Sequence, residues 1–283
     1  MLPGNLGGQT MTNLLITEKQ LTERQQRELE FYEAFSKLNE PSEVSFDPIS
    51  GKEARPWNSY WRVIEIVKQN FSPECQRLLD FGCGPGENAL VFSKIGYEVY
   101  GFDLSQSNIS IANRLAQKYG LTERTHFSVS SAERLEYADE FFDIVVGFDI
   151  LHHINLSQGL GECSRVLKRG GLAIFHEPMR APIFDALRET RFGKWLIPKE
   201  ASLERHITQD ERKLTADDLK IIKEFDPHFS IERFLLFSRL DRFVRKPGSK
   251  EPSFLEKLDA RLFRVLPFLK SYGGISVLVL KKQ

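Results

Sequence analysis

The stretch Leu78-Leu79-Asp80-Phe81-Gly82-Cys83-Gly84-Pro85-Gly86 constrains the fold more than any other part of this chain. A short apolar run breaks into three glycines in five residues, then enters a helix-forming segment at Glu87 or Asn88. That pattern is a buried strand feeding a tight turn and a helix, the opening of a βα unit. Glycines in the turn let backbone approach a ligand with no Cβ in the way. The helix start offers unpaired N–H groups and a partial positive charge to an anion. A ligand-free turn is the bland alternative, but it carries the entropic penalty of three glycines without return. Asp103 closes the next apolar run, where an acidic side chain can accept hydrogen bonds from both hydroxyls of a ribose. A pyrophosphate-binding fingerprint would need a third glycine where this chain has Glu87.

Beyond Pro73, short apolar runs alternate with amphipathic stretches, which predicts strands at Arg77–Phe81, Glu98–Asp103, Thr125–Ser130, Phe142–Phe148 and Gly171–Glu177. Helices are expected at Asn88–Ile95, Gln106–Tyr119, briefly near Ala132, and at Leu156–Leu167, with a turn at Lys168-Arg169-Gly170-Gly171. Past Pro178 the alternation loosens into helices near Ile183–Arg191, Ala216–Glu224 and Phe254–Leu266, a polar loop over Arg205–Leu214, and strands at Ser230–Phe237 and Ile275–Leu280. The last two strands can pair antiparallel at one sheet edge. Before the core, residues 1–17 read as a flexible tail, Glu18–Leu38 as an amphipathic helix, Glu40–Pro56 as a loop, and Trp57 to Val67 as a second amphipathic helix. The expected architecture is α/β: a doubly wound, mostly parallel seven-stranded sheet with helices on both faces. Residues 18–72 form an N-terminal helical cap, residues 73–178 the core, and residues 179–283 the lid helices and last two strands.

Composition narrows the function. With 39 basic and 39 acidic residues, the 283-residue chain has no net charge to attract nucleic acid or an anionic membrane. Cys75, Cys83 and Cys163 lack metal-ligand spacing and suit a reducing compartment. No apolar run is long enough to span a bilayer, and the first residues lack a basic segment leading into an apolar one, so a cytoplasmic protein is expected.

After Asp80 and the Gly82–Gly86 turn, the chain carries Ser131-Ala132-Glu133, Phe141-Phe142-Asp143-Ile144-Val145, Leu151-His152-His153-Ile154 and Arg165-Val166-Leu167-Lys168-Arg169-Gly170-Gly171. In this order and spacing, from Leu78 to Pro178, the sequence resembles the class I S-adenosylmethionine-dependent methyltransferases of the small-molecule branch, whose first motif is (Leu/Val)-x-Asp-x-Gly-x-Gly-x-Gly. The resemblance implies S-adenosyl-L-methionine as cofactor. It implies that Asp80, Gly82, Cys83, Gly84, Gly86, Asp103, Leu104, Ser131, Ala132, Glu133 and Phe148 hold it, with the helix start after Gly86 facing the methionine carboxylate. One departure is Ser131, where the family usually has an Asp bonded to the adenine amino group.

The acceptor is expected beyond the carboxyl ends of the first, fourth and fifth strands, at Phe148-Asp149, Leu151-His152-His153 and His176-Glu177. His153, Glu177 and His152 are the catalytic candidates. Each has a structural alternative: Asp149 can cap a turn, an inward histidine is more often packing than base, and Glu177 before Pro178 can orient the departing chain. Strand alternation puts His176 and Glu177 on opposite faces. Glu177 is preferred because Glu177-Pro178 resembles a pair found in a bacterial subgroup of the family. That subgroup also resembles this chain at Arg188 or Arg191, at Asp210-Glu211-Arg212-Lys213-Leu214 and at Pro267-Phe268-Leu269. Tyr32, Trp57, Tyr60 and Trp61 either line the acceptor site or pack its lid. A small, hydroxylated, partly apolar acceptor with transfer to oxygen is expected. Two alternatives stand beside it. One is a nucleic-acid or protein methyltransferase: enzymes that methylate exocyclic base nitrogens usually show (Asp/Asn)-Pro-Pro-(Tyr/Phe) where this chain has Phe148-Asp149-Ile150-Leu151, and the basic cluster Arg239, Arg242, Arg245, Lys246 is interrupted by Asp241. A non-catalytic cofactor-binding protein would keep the fold without turnover.

Overall fold

The computed structural model describes residues 21–50, 57–181, 190, 212–241 and 252–283. Seven strands form one sheet: β1 (Arg77–Phe81), β2 (Glu98–Asp103), β3 (Thr125–Val129), β4 (Phe142–Phe148), β5 (Leu167–Pro178), β6 (Ser230–Phe234) and β7 (Ile275–Lys281). Their order is β3-β2-β1-β4-β5-β7-β6. The first five run parallel, and β7 enters antiparallel between β5 and β6.

Period-two alternation divides the core. Leu79, Phe81, Val145 and Phe175 face one side, with Leu160 and Cys163 of α6 (Leu156–Val166) and Ile222 of α7 (Ala216–Phe225). Leu78, Ile144, Val146 and Ile174 face the other. There they meet Val63 and Val67 of α3 (Ser59–Gln69), Leu90 of α4 (Glu87–Ile95) and Leu115 of α5 (Gln106–Lys118). Central strands covered on both faces read as continuous apolar runs, which is why they are visible in the sequence.

Elsewhere the structure departs from expectation. α1 spans Glu23–Leu38, opened by a capping box between Thr22 and Gln25, and a short helix α2 (Asp47–Ser50) sits where a loop was expected. Near Ala132 there is a turn closed by the Ser131–Arg134 bridge instead of a helix. The expected Lys168–Gly171 turn is a bulge inside β5. Pairing jumps from Phe142–Leu167 to Ile144–Leu172, Gly170 takes φ 77°, and Lys282 bonds the bulge through both its backbone groups. β6 stops at Phe234 because Leu235 adopts φ 59° and the next three amides turn to the Asp259 carboxylate. Asp259 belongs to the last helix, α8 (Phe254–Val265). The expected helix near Ile183–Arg191, with Arg188 and Arg191, and the Arg205–Glu211 part of the polar loop lie outside the described residues. Arg212 grips Asp218 with two bonds of 2.5 and 2.6 Å, drawing that carboxyl down to about 2, and Leu214 bridges to Met179. Both serve to anchor α7.

Candidate active site

The glycine turn, the ends of β2 and β4 and the inner face of α1 enclose a cavity of about 250 Å³. The turn has the shape its composition demands. Gly82 sits at φ 77°, and a Cβ there would meet Ile150 Cδ1 at 2.7 Å. Gly84, at φ 50°, has open space on its Cβ side, so backbone borders the cavity directly. Asp103 braces this turn: one carboxylate oxygen accepts from Gly84 N–H (3.1 Å), the other from Ser105 N–H (2.8 Å) and the Asn108 amide (3.1 Å). Burial raises its pKa despite those bonds. Behind it Asp80 is buried, with Oδ2 lacking a hydrogen-bond partner. Desolvation, followed by the nearby Asp103 charge, pushes its pKa to about 7.

Of the residues expected to hold a cofactor, Gly82, Gly84, Asp103, Leu104, Ala132, Glu133 and Phe148 line the cavity. Asp80, Cys83, Gly86 and Ser131 do not. Asp80 lies beneath the turn. Cys83 is tucked against Gly101, with its amide on the Phe102 carbonyl. Gly86 caps α4 with Ala112 directly behind it. Ser131 gives its hydroxyl to Glu133 (2.5 Å), and the Gln25 amide donates to both, at 3.0 Å each.

The three catalytic candidates separate sharply. The chain leaves β4 through Asp149, held at φ 51°, and makes a 3₁₀ turn over Leu151–His153. Glu177 is fully buried under that turn. Its Oε1 accepts from Ile150 N–H (2.9 Å) and Leu151 N–H (2.7 Å), and its Oε2 lies 2.7 Å from His152 Nδ1. Neither Glu177 nor His152 borders the cavity, because their polar atoms are turned on each other and on the backbone. His153 does border it. Its Nδ1 lies 3.1 Å from Glu28 Oε2 and its Nε2 lies 3.3 Å from the Tyr32 hydroxyl. His176, on the opposite face from Glu177, is 2.9 Å from the Ser59 hydroxyl and 3.5 Å from Asp149.

The sequence reading missed most of what α1 contributes. Gln25, Glu28, Tyr32 and Ser36 line the cavity at spacings of three and four, one stripe of a helix. The Ser36 hydroxyl lies within hydrogen-bond reach of both Asn108 Oδ1 and the Tyr32 carbonyl, to either of which it can donate, and Glu33 accepts from the Ser105 hydroxyl (2.8 Å), Ser107 N–H (3.0 Å) and the Ser107 hydroxyl. Arg24 ties the helix start to the carbonyls of His152 (2.8 Å) and Ile154 (3.2 Å). The polar stripe itself was the available signal. Tyr60 and Trp61 line a second hollow of about 460 Å³ that adjoins the first across Pro85, whereas Trp57 lines a separate one near Arg233. Among the described residues no group of side chains is arranged for a metal ion, and no helix is long and apolar enough to cross a membrane. Of the basic cluster, Arg239 is spent on the carbonyls of Leu235 and Tyr272, and Arg242, Arg245 and Lys246 lie outside the described residues.

Residues 79–175, the segment that builds β1 through β5 and the glycine turn, match the family described as Methyltransferase domain. Over that segment the core is similar to a methyltransferase domain. The chain is 37% identical over 153 residues to a demethylmenaquinone methyltransferase of Chlorobaculum parvum, an alignment covering 52% of this chain and 61% of that protein. It is 30% identical over 152 residues to a ubiquinone biosynthesis O-methyltransferase of Rhizobium rhizogenes, covering 52% and 60%. The chain thus spans about three fifths of these relatives. A geranyl diphosphate C-methyltransferase from Streptomyces coelicolor shares the fold, with a TM-score of 0.57 at 14% identity over 93% of this chain and 99% of that one. That enzyme was solved with S-adenosyl-L-homocysteine, the product left by the methyl donor S-adenosylmethionine. The open side of Gly84 and the buried Asp103 carboxylate beside it suit the backbone approach and the hydroxyl contacts such a donor needs.

Proposed function

We propose that this chain methylates a hydroxyl group of a small, partly apolar metabolite, with His153 as general base. Bound S-adenosylmethionine supplies a methyl group already activated on a sulfonium. A weakly acidic hydroxyl must still lose its proton, and His153 is the group that faces the cavity beside the β4 end with both ring nitrogens close to α1. That placement carries the reading. A proton on Nδ1, 3.1 Å from Glu28 Oε2 but not aligned with it as a hydrogen bond, leaves Nε2 as the acceptor, where a substrate hydroxyl replaces the Tyr32 hydroxyl and passes its proton to the ring. Glu28 then steadies the imidazolium. α1 covers the site and excludes water, with Gln25 on the Ser131–Glu133 pair and Ser36 on Asn108 fixing its position.

Both relatives carry a quinone in their names, and the second hollow is walled by Tyr60 and Trp61. A hydroxylated ring of the quinol kind is the acceptor class we assign. Purified protein incubated with labelled S-adenosylmethionine and a panel of phenols and reduced quinones should form S-adenosylhomocysteine, and His153→Gln should not. Tight S-adenosylhomocysteine binding with no turnover on any hydroxylated acceptor would overturn the reading in favour of a non-catalytic binder.

A further inference from the structure

α8 presents its faces in an unusual arrangement. Its two acidic residues, Glu256 and Asp259, both point into the body of the protein and are buried. Asp259 takes the amides of Leu236, Phe237 and Ser238 at 2.8–3.0 Å, together with the Ser238 hydroxyl at 2.6 Å; Glu256 closes the helix cap on Ser253. At 100° per residue, Glu256, Asp259 and Phe263 share that inner arc. The outer arc divides into an apolar strip, Phe254, Leu258, Leu262 and Val265, and beside it a basic strip, Lys257, Arg261 and Arg264. Phe254 is 76% exposed and Val265 69%, and the 3₁₀ turn that follows adds Phe268 at 63%. Lys257, Arg261 and Arg264 are exposed too. With both carboxylates of α8 consumed inside, the helix itself turns outward large apolar groups and, of charged side chains, only basic ones.

We propose that α8 and the following turn dock this protein on the surface of an anionic phospholipid bilayer. Apolar side chains flanked by unopposed cations match the acyl boundary and the phosphate layer of such a surface. A second copy of the chain fits less well, since a two-fold contact through this face would bring two basic strips together. β6 runs in the same direction as β1, so its carboxyl end, onto which Asp259 locks the helix, lies at the same end of the sheet as the glycine turn and His153. Docking thereby sets the cavity end of the molecule toward the lipid.

Vesicle flotation of the full chain reads this without any turnover, so its outcome is independent of the methyl-transfer reading. The protein should float with vesicles of phosphatidylcholine mixed with phosphatidylglycerol, far less with phosphatidylcholine alone, and less as salt is raised. Replacing Lys257, Arg261 and Arg264 by Gln should weaken partition about fivefold for each charge removed. Phe254→Ser, Val265→Ser and Phe268→Ser together should abolish it, while melting temperature and S-adenosylhomocysteine affinity stay at the parent values, because these side chains are exposed. Equal or absent partition on the two vesicle types would overturn the proposal. So would sedimentation showing a dimer that the same triple variant disperses.

Discussion

Glu177 is where the structure makes its sharpest demand. Its carboxylate receives three donors at 2.7–2.9 Å with no water-exposed surface. Glu177→Ala strands two backbone N–H groups and one imidazole, each costing about 1–3 kcal/mol when buried and unpaired. Even at the low end this removes about 3 kcal/mol. At about 2–4 °C per kcal/mol for a chain of this size, the melting temperature should fall roughly 6–12 °C. Glu177→Gln keeps one oxygen for both amides, and the neutral ring of His152 can switch tautomer to accept from the new amide. Its loss should be about 1 kcal/mol. Differential scanning calorimetry on the three proteins, alongside turnover, decides the matter. A positioning role predicts a graded loss of stability with turnover tracking the folded fraction. If Glu177→Gln melted like the parent while turnover fell by about 10²-fold or more, the scale of a lost general base, the positioning argument would fail.

His153→Ala should reduce turnover by about 10²–10⁴-fold while leaving S-adenosylhomocysteine affinity, read by calorimetry, within a few-fold; equal losses in both would contradict a base role. Gly82→Ala should destabilise by about 1–3 kcal/mol, since φ 77° is combined with a 2.7 Å approach to Ile150. Gly84→Ala meets no atom but must hold φ 50°, so it should cost about 1–2 kcal/mol of stability and weaken cofactor binding besides; unchanged affinity in a titration of the folded variant would count against this cavity as the donor site. Asp80 provides a pH test. Its carboxyl rises from 3.8 to about 7 on folding, so the folded protein holds the proton over that interval. Its contribution to stability falls as pH climbs from about 4 to 7 and is flat above, on the order of 4 kcal/mol in all. Asp80→Asn should remove that slope from melting curves recorded across the interval, and an unchanged slope would exclude Asp80 as its source.

The central sheet was legible because burial on both faces leaves little freedom in composition. β1, β2 and β4 have the bounds that their apolar runs implied, and the antiparallel pairing of β6 with β7 follows. What escaped depends on partners far along the chain. Strand alternation separated His176 from Glu177, but the turn after β4 folds back beneath β5, and that places Glu177 under the turn instead of at the cavity. The polar stripe of α1 is plain in the sequence, yet Ser131, His152 and His153 lie 106 to 128 residues away from the side chains that meet them. Leu38 looked like part of the apolar face and is 83% exposed, because the helix ends there with nothing above it. The bulge in β5 followed from Lys282, just past the end of a strand whose position no local pattern discloses.

The proposed proton-handling group draws on two separate parts of the chain. His153 belongs to the segment shared with the methyltransferase family, whereas Glu28 and Tyr32 arrive on α1, outside residues 79–175. On that reading, a change in α1 alters what His153 meets while every residue of the matched segment stays as it is.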